Sequence, residues 1–299
     1  MKKLYAVLVV VMAAALVLTA CGAKGNAGGD LLSDIKSRGY ILVSTDPNYA
    51  PQSFLNTQGK RPSDSKCPSD ALTTAEMQGF DVDVAAELGK RLGVETCFAT
   101  PNWDAITAGN WADKWDVSVG SMTVTTERQK VLDFTTAYYY TPAVVAVTKE
   151  SGITSLDQLS DKALCVGAST TYEDWLNGKL GIPTEDIFSK PPSNVTVVSL
   201  DTDQECAQAL QAGRKDFVGY VTSGTVVDQN IANGLAVVKV GKAVYEENLA
   251  VAIDKKHTKD IASLLSTLDG FVKAMHQDGT LSTLSTKWFQ TDLSQSSAG

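Results

Sequence analysis

Asp116-Val117-Ser118-Val119-Gly120-Ser121-Met122-Thr123-Val124-Thr125-Thr126-Glu127-Arg128 is the most informative stretch of the chain. Asp116–Gly120 reads as a buried strand. A turn of small and hydroxyl-bearing residues follows, and Thr125-Thr126-Glu127-Arg128 opens a helix with a Thr as N-cap. Exposed backbone N–H groups, the positive end of a helix and a guanidinium fork then converge on one point. Those are the elements of a carboxylate site. Gly167-Ala168-Ser169-Thr170-Thr171 offers similar donors further along. A Ser or Thr ahead of a helix is by itself an ordinary cap. Two such turns, one in each half of the chain, point to a shared anion site.

Outward from this stretch, strands and helices alternate. Tyr40–Ser44, Ala163–Gly167, Val195–Leu200, Phe217–Val221, Leu235–Val240 and Leu249–Ile253 read as strands, and Ala143–Thr148 is β-rich. Phe80, Val84, Leu88 and Leu92 recur at helical spacing, with Asp81 and Asp83 at the start, Lys90 and Arg91 at the end, and Gly93 as C-cap. Thr171–Leu180, Asp203–Ala212, Lys259–Gln277 and Leu281–Phe289 are further helical patterns. Residues 57–78 are polar and read as a surface insertion. The alternation predicts an α/β fold of mostly parallel sheets with helices on both faces, binding its ligand beyond the carboxyl ends of the strands. At 299 residues, two lobes are expected.

Composition excludes several functions. The chain is 43% hydrophobic and 20% charged, which is globular. Its net charge of −8 and its lack of a Lys/Arg cluster argue against nucleic acid. No Gly-x-Gly-x-x-Gly follows a strand, and no Gly-x4-Gly-Lys-Ser/Thr occurs, so nucleotide phosphates have no cradle. Two His and no Cys-x-x-Cys leave neither a metal site nor a Ser/His/Asp triad, and no cofactor is expected. The paired acids Asp81/Asp83, Glu173/Asp174 and Glu246/Glu247 read as solvated faces or helix N-terminal charges.

Lys2 and Lys3 precede an uncharged run from Leu4 to Ala20, too short for a comfortable membrane span and fitting a signal peptide, residues 1–20. Leu18-Thr19-Ala20-Cys21 resembles a bacterial lipobox, with Cys21 as the lipidated residue. A plain signal peptide or short membrane helix is the simpler alternative. Residues 21–30 read as a lipidated, Gly/Ala/Asn-rich tether, and diacylation suffices to hold a chain at a membrane surface. Cys67, Cys97, Cys165 and Cys206 remain, an even number in an exported chain. Three pairings are possible. Cys67–Cys97 and Cys165–Cys206 are favoured because each then lies inside one lobe.

Further motifs carry a family resemblance. They are Ser44-Thr45-Asp46-Pro47-Asn48-Tyr49-Ala50-Pro51, Gly79-Phe80-Asp81-Val82-Asp83, Asn102-Trp103-Asp104, Ser121–Arg128, Asp133-Phe134-Thr135, Gly213-Arg214-Lys215-Asp216 and Lys287-Trp288-Phe289. In order and spacing they resemble the extracellular solute-binding proteins of family 3, the amino-acid-binding components of ABC importers, over about residues 38–290. The resemblance implies a two-lobe periplasmic-binding-protein-like (type II) fold with two hinge crossings. Lobe 1 would be 31–141 plus 246–299 and lobe 2 142–245. It implies a monomeric lipoprotein on the extracytoplasmic face of the cell membrane that hands a small carboxylate-bearing solute, an amino acid or a relative, to an ABC permease. Arg128 would bind the solute carboxylate, with Ser121, Thr123, Thr170 and Thr171 as donors. Tyr49 and Trp103 would cover the solute with their rings, while Trp111 and Trp115 pack. The alternatives are a cyclohexadienyl-type dehydratase, with Glu173 as general acid, and a ligand-sensing module.

One departure concerns the solute ammonium. Relatives that bind α-amino acids carry an Asp five residues after the Asp of Gly-Arg-x-Asp, and here that position is Val221, flanked by Tyr220 and Thr222. A buried ammonium needs a carboxylate partner. Either Asp46, Glu173 or Glu247 supplies it, or the hydroxyls of Tyr220 and Thr222 meet a different kind of solute.

Overall fold

The computed structural model describes residues 29–297. The expected signal peptide, Cys21 and nearly all of the tether lie outside the described residues. Asp30, expected at the end of the tether, is instead the N-cap of a helix: its carboxylate accepts from the Leu32 N–H at 3.2 Å. Among the described residues, no helix is long and apolar enough to cross a membrane.

In chain order the strands are β1 Tyr40–Ser44, β2 Asn48–Tyr49, β3 Ser53–Leu55, β4 Leu72–Thr73, β5 Met77–Gln78, β6 Glu95–Ala99, β7 Val117–Thr123, β8 Leu132–Thr148, β9 Ala163–Gly167, β10 Thr196–Leu200, β11 Gly219–Ser223 and β12 Val237–Asp254. The helices are α1 Leu31–Arg38, α2 Phe80–Leu92, α3 Trp103–Thr107, α4 Thr171–Leu176, α5 Asp203–Gln211, α6 Gly224–Ala232, α7 Ala262–Gln277 and α8 Thr280–Phe289. Most strands and long helices match the sequence pattern within a few residues. Others, such as α1 and β6, carry no clear pattern, and three of the differences have a direct physical reason. The expected helix at Thr125 is one tight turn, Arg128–Lys130, because the chain enters β8 at Leu132. The two strands expected at Leu235–Val240 and Leu249–Ile253 are one, β12, irregular between Val240 and Tyr245 but continuous beside β8. Helix α6 has a weak apolar pattern and is held by Val226 and Val227.

The main sheet has the order β10-β9-β11-β8-β12-β7-β1-β6-β4. Pairs β1/β6, β1/β7, β9/β10 and β9/β11 are parallel, while β8 and β12 are antiparallel to each other and to their outer neighbours. Apolar burial divides into two bodies. The larger includes Leu31, Ile41, Phe80, Leu88, Tyr139, Leu249, Val251, Leu268 and Leu281. The other body includes Ala143, Val145, Leu164, Val221, Val240 and Tyr245, backed by Cys165, Cys206 and Val237. Strand β8 changes bodies between Tyr139 and Ala143, and β12 between Tyr245 and Leu249. These are the two crossings.

Both expected disulfides are present. Cys67–Cys97 ties the polar insertion to β6, and Cys165–Cys206 ties β9 to α5, with Cα atoms 5.4 Å and 5.7 Å apart. Trp111 and Trp115 are buried against Met122 and Leu132, the packing role expected of them.

Candidate functional site

A narrow cavity lies between the two bodies. Its walls are the residues that follow the carboxyl ends of the strands: Asp46 and Tyr49 after β1, Trp103 after β6, Ser121 and Thr123 in β7, Arg128 beyond it, Thr170 to Tyr172 after β9, and Asp201 to Asp203 after β10. Glu247 enters from the crossing strand β12. Right-handed parallel α/β units leave such a crevice where their strands end.

Arg128 is 8% exposed and sits between the bodies. One terminal nitrogen donates to the Thr123 carbonyl at 3.0 Å and the other to the Ser169 carbonyl, on the opposite wall, at 3.1 Å. Its carbon lies 5.5 Å over the Trp103 ring. Among the described residues it forms no ion pair with a carboxylate. Burial lowers its pKa, and the nearby charges of Glu247 and Asp174 oppose that shift. A guanidinium held by two neutral carbonyls keeps N–H donors for an anion in a largely buried setting, where a charge-assisted hydrogen bond gains most.

Ser121, within β7, and Ser169, in the turn after β9, both adopt left-handed backbone, with φ 53° and 61°. Non-glycine residues rarely do so outside constrained sites. The bodies also touch through Tyr49 Oη and Tyr172 Oη at 2.9 Å and through Gln52 Nε2, which donates to Thr225 Oγ1 at 2.6 Å.

The structure brings Asp46, Tyr49, Trp103, Ser121, Thr123, Arg128, Thr170 and Thr171 to the cavity wall. Several hydroxyls expected to face a solute are already engaged. Ser121 Oγ donates to Asp81 Oδ2 at 2.7 Å, and Thr123 and Thr171 donate to Glu247 Oε2 at 2.7 Å and 2.9 Å. Thr170 caps α4. Tyr220 and Thr222 are not on the wall. The Tyr220 hydroxyl accepts from Asn230 at 3.1 Å inside the second body, and Thr222 donates to Asp203 Oδ2 at 2.9 Å. Val221, between them, points into the apolar core of that body.

Two carboxylates dominate the floor, against the expectation of solvated acids. Glu247 is 2% exposed and accepts from Thr123, Thr171 and, at 2.8 Å, Tyr172 Oη. Burial raises its pKa, with the three hydroxyls and Arg128 opposing. Asp203, missed in the sequence because an acid in a helix's first turn reads as a dipole charge, is 5% exposed. Its Oδ1 accepts from the Gly167 N–H at 2.7 Å. A Cβ on Gly167 would sit 2.6 Å from that oxygen, so only glycine lets the carboxylate in. Burial pushes the Asp203 carboxyl from 3.8 up to about 7, helped by the charges of Glu247 and Asp46. Glu173 accepts from the Ser169 N–H at 2.9 Å and is absent from the wall. Among the described residues, no group of three or more His, Cys, Asp or Glu side chains is placed to hold a metal ion.

Asp81, beneath Ser121, is likewise raised by burial to about 7. Between roughly pH 4 and 7 the folded chain therefore binds protons at Asp81 and Asp203 that the unfolded chain has released. Folding stability must fall as pH rises through that window. Without solute, stability should be lower at about pH 8 than at about pH 5 by a few kcal/mol, seen as a lower thermal midpoint. The Asp81→Asn variant should show a shallower slope. A midpoint that climbs across this window would contradict the buried-acid assignment.

Comparison with known proteins agrees with this architecture. The chain is 31% identical over 287 residues, 95% of each chain, to the L-cystine-binding protein TcyJ of Escherichia coli (strain K12). It is 28% identical over 264 residues, 85% of this chain and 88% of the relative, to the histidine-binding periplasmic protein of the same organism. Among solved structures, an ancestral amino acid-binding protein described as a precursor of cyclohexadienyl dehydratase superposes with TM-score 0.68 at 29% identity, covering 86% of this chain and 99% of that one. A mutant of ArgBP from T. maritima gives TM-score 0.69 at 25% identity, covering 87% and 99%. The profile of the bacterial extracellular solute-binding proteins, family 3, matches residues 41–291, and the chain, with its two bodies, its crossing strands and its interbody cleft, belongs to that family.

Proposed function

We propose that this solute-binding protein captures an α-amino acid between its two bodies and delivers it to the permease of an ABC importer. The observation that carries the reading is Arg128, buried at the interface, bonded to a carbonyl on each side and matched by no carboxylate ion pair. The solute carboxylate docks on the rest of its fork, and the rings of Tyr49 and Trp103 cover the solute. The moving units are residues 31–141 with 246–299, and 142–245. Contacts such as Arg128–Ser169 and Tyr49–Tyr172 exist only when the walls meet, so a solute that adds to them shifts the population toward closure. The chain acts as a monomer, held at the extracytoplasmic membrane face through a lipidated Cys21. The relatives named for binding amino acids support the solute class. The dehydratase reading draws less support, since Glu173, the acid expected for it, does not line the cavity and accepts from the Ser169 N–H.

A thermal-shift screen of the twenty common amino acids, L-cystine, amines and small organic acids tests this. A bound solute at a hundred times its dissociation constant should raise stability by about 2.7 kcal/mol. A screen in which only amines without a carboxylate, or only non-amino organic acids, shift the transition would overturn it.

A further inference from the structure

We propose that the preferred solute is an α-amino acid with a positively charged side chain, and that Asp203, assisted by Glu247, receives its α-ammonium. The inference rests on the amino-acid reading above and narrows it.

The first ground is the charge lining the cleft. The cavity wall holds Asp46, Asp201, Asp203 and Glu247 against Arg128 as its one cation. A second chamber adjoins it toward solvent and shares Asp46, Trp103 and Asp201. It adds Asp104 and contains no Lys, Arg or His. One carboxylate of the solute can be matched by Arg128. A second carboxylate would meet only acids, and half-buried Asp46 with the exposed Asp104 and Asp201 favours a positive group there over a neutral one. A solute with two cationic groups and one carboxylate matches the wall.

The second ground is the position of the two buried acids. Val221 is turned into the core, so strand β11 cannot present a carboxylate to the cleft. Its neighbour Thr222 instead holds Asp203, which reaches the cavity from the first turn of α5. One oxygen of Asp203 takes the Gly167 N–H and the other takes Thr222, so each keeps a lone-pair direction for a further donor. Glu247 Oε2 takes two hydroxyls, whereas Oε1 takes only Tyr172. An ammonium carries three donors and no acceptor, and these buried oxygens can accept them. A side chain leaving toward the mouth then passes the Trp103 face and meets Asp46 and Asp201.

Titration calorimetry of the intact protein at about pH 8 decides the matter, using L-arginine, L-lysine, L-citrulline, L-glutamate and L-cystine as probes. Citrulline has the shape of arginine without its charge. Arginine or lysine should bind at least about tenfold more tightly than each of the other three. Citrulline, glutamate or cystine binding as well as both cationic probes would sink the inference while leaving the amino-acid reading intact. No binding of any α-amino acid would remove both. The Asp203→Asn variant should lose about a hundredfold in affinity for the cationic probe. If it folds by circular dichroism and keeps native affinity, Asp203 is not the ammonium receptor. If it does not fold, the unmodified protein's ranking of probes still decides.

Discussion

Arg128→Met should reduce solute affinity by roughly a thousandfold, or about 4 kcal/mol, while the chain stays folded. Among the described residues the guanidinium is the one cation on the cavity wall, and methionine keeps its apolar stem but removes every N–H. Stability should change little, because two opposing effects accompany the substitution. The bonds to the Thr123 and Ser169 carbonyls disappear, each worth about 1 kcal/mol. The cost of burying the guanidinium disappears as well, which offsets that loss, and Glu247, deprived of the nearby cation, can take up a proton. Calorimetry with the best solute from the screen, together with thermal unfolding, measures both. Near-native affinity in a folded Arg128→Met protein would show that the carboxylate is held elsewhere.

Replacing Cys165 and Cys206 together by serine should lower stability by about 4 kcal/mol, or roughly 10 °C in midpoint. The bridge closes a loop between residues 41 apart in sequence, and opening it returns that loop's entropy to the unfolded chain. Both cysteines are fully buried, so the serine hydroxyls add a desolvation cost. Helix α5 begins at Asp203, three residues before Cys206, and the disulfide fixes it to β9, which ends at Gly167. The double variant should therefore also bind solute more weakly, since the bridge holds the Gly167–Asp203 contact in register. An unchanged midpoint would mean that the packing of Leu164, Ala207 and Leu210 alone fixes α5 on the sheet.

The elements that could be read from the sequence are those whose burial repeats. Phe80, Val84, Leu88 and Leu92 are all buried on α2, and the caps at both ends follow from charges and Gly93. Helix α1 has only Leu31 and Ile35 on its buried face and forms by docking on α7, a long-range contact with little local signature. Strand β12 was hidden because Gly241 and the acids Glu246 and Glu247 look like punctuation, while the ladder with β8 carries the strand through. In the site, Arg128, Trp103, Tyr49 and Asp46 were legible because their motifs are local. The partners of the hydroxyls were not. Thr123 and Thr171 find Glu247 across 124 and 76 residues of sequence, and no spacing rule reports a pairing decided by where two strands cross. Asp203 was concealed for the same reason, since its exposure depends on Gly167 leaving room.

The nine-stranded sheet has a further mechanical implication. Helix α1 docks on α7, and Tyr140 on β8 is tied by its N–H to the Leu293 carbonyl at 2.8 Å, so the described residues nearest both ends of the sequence are fastened to the larger body or to the seam. The smaller body carries neither. Were the amino-terminal side pinned to a surface, the smaller body would be the swinging jaw and the larger one the fixed jaw. A fluorophore pair reporting capture is then suitably placed with one dye on the exposed edge of α6 and its partner on α2, one on each jaw.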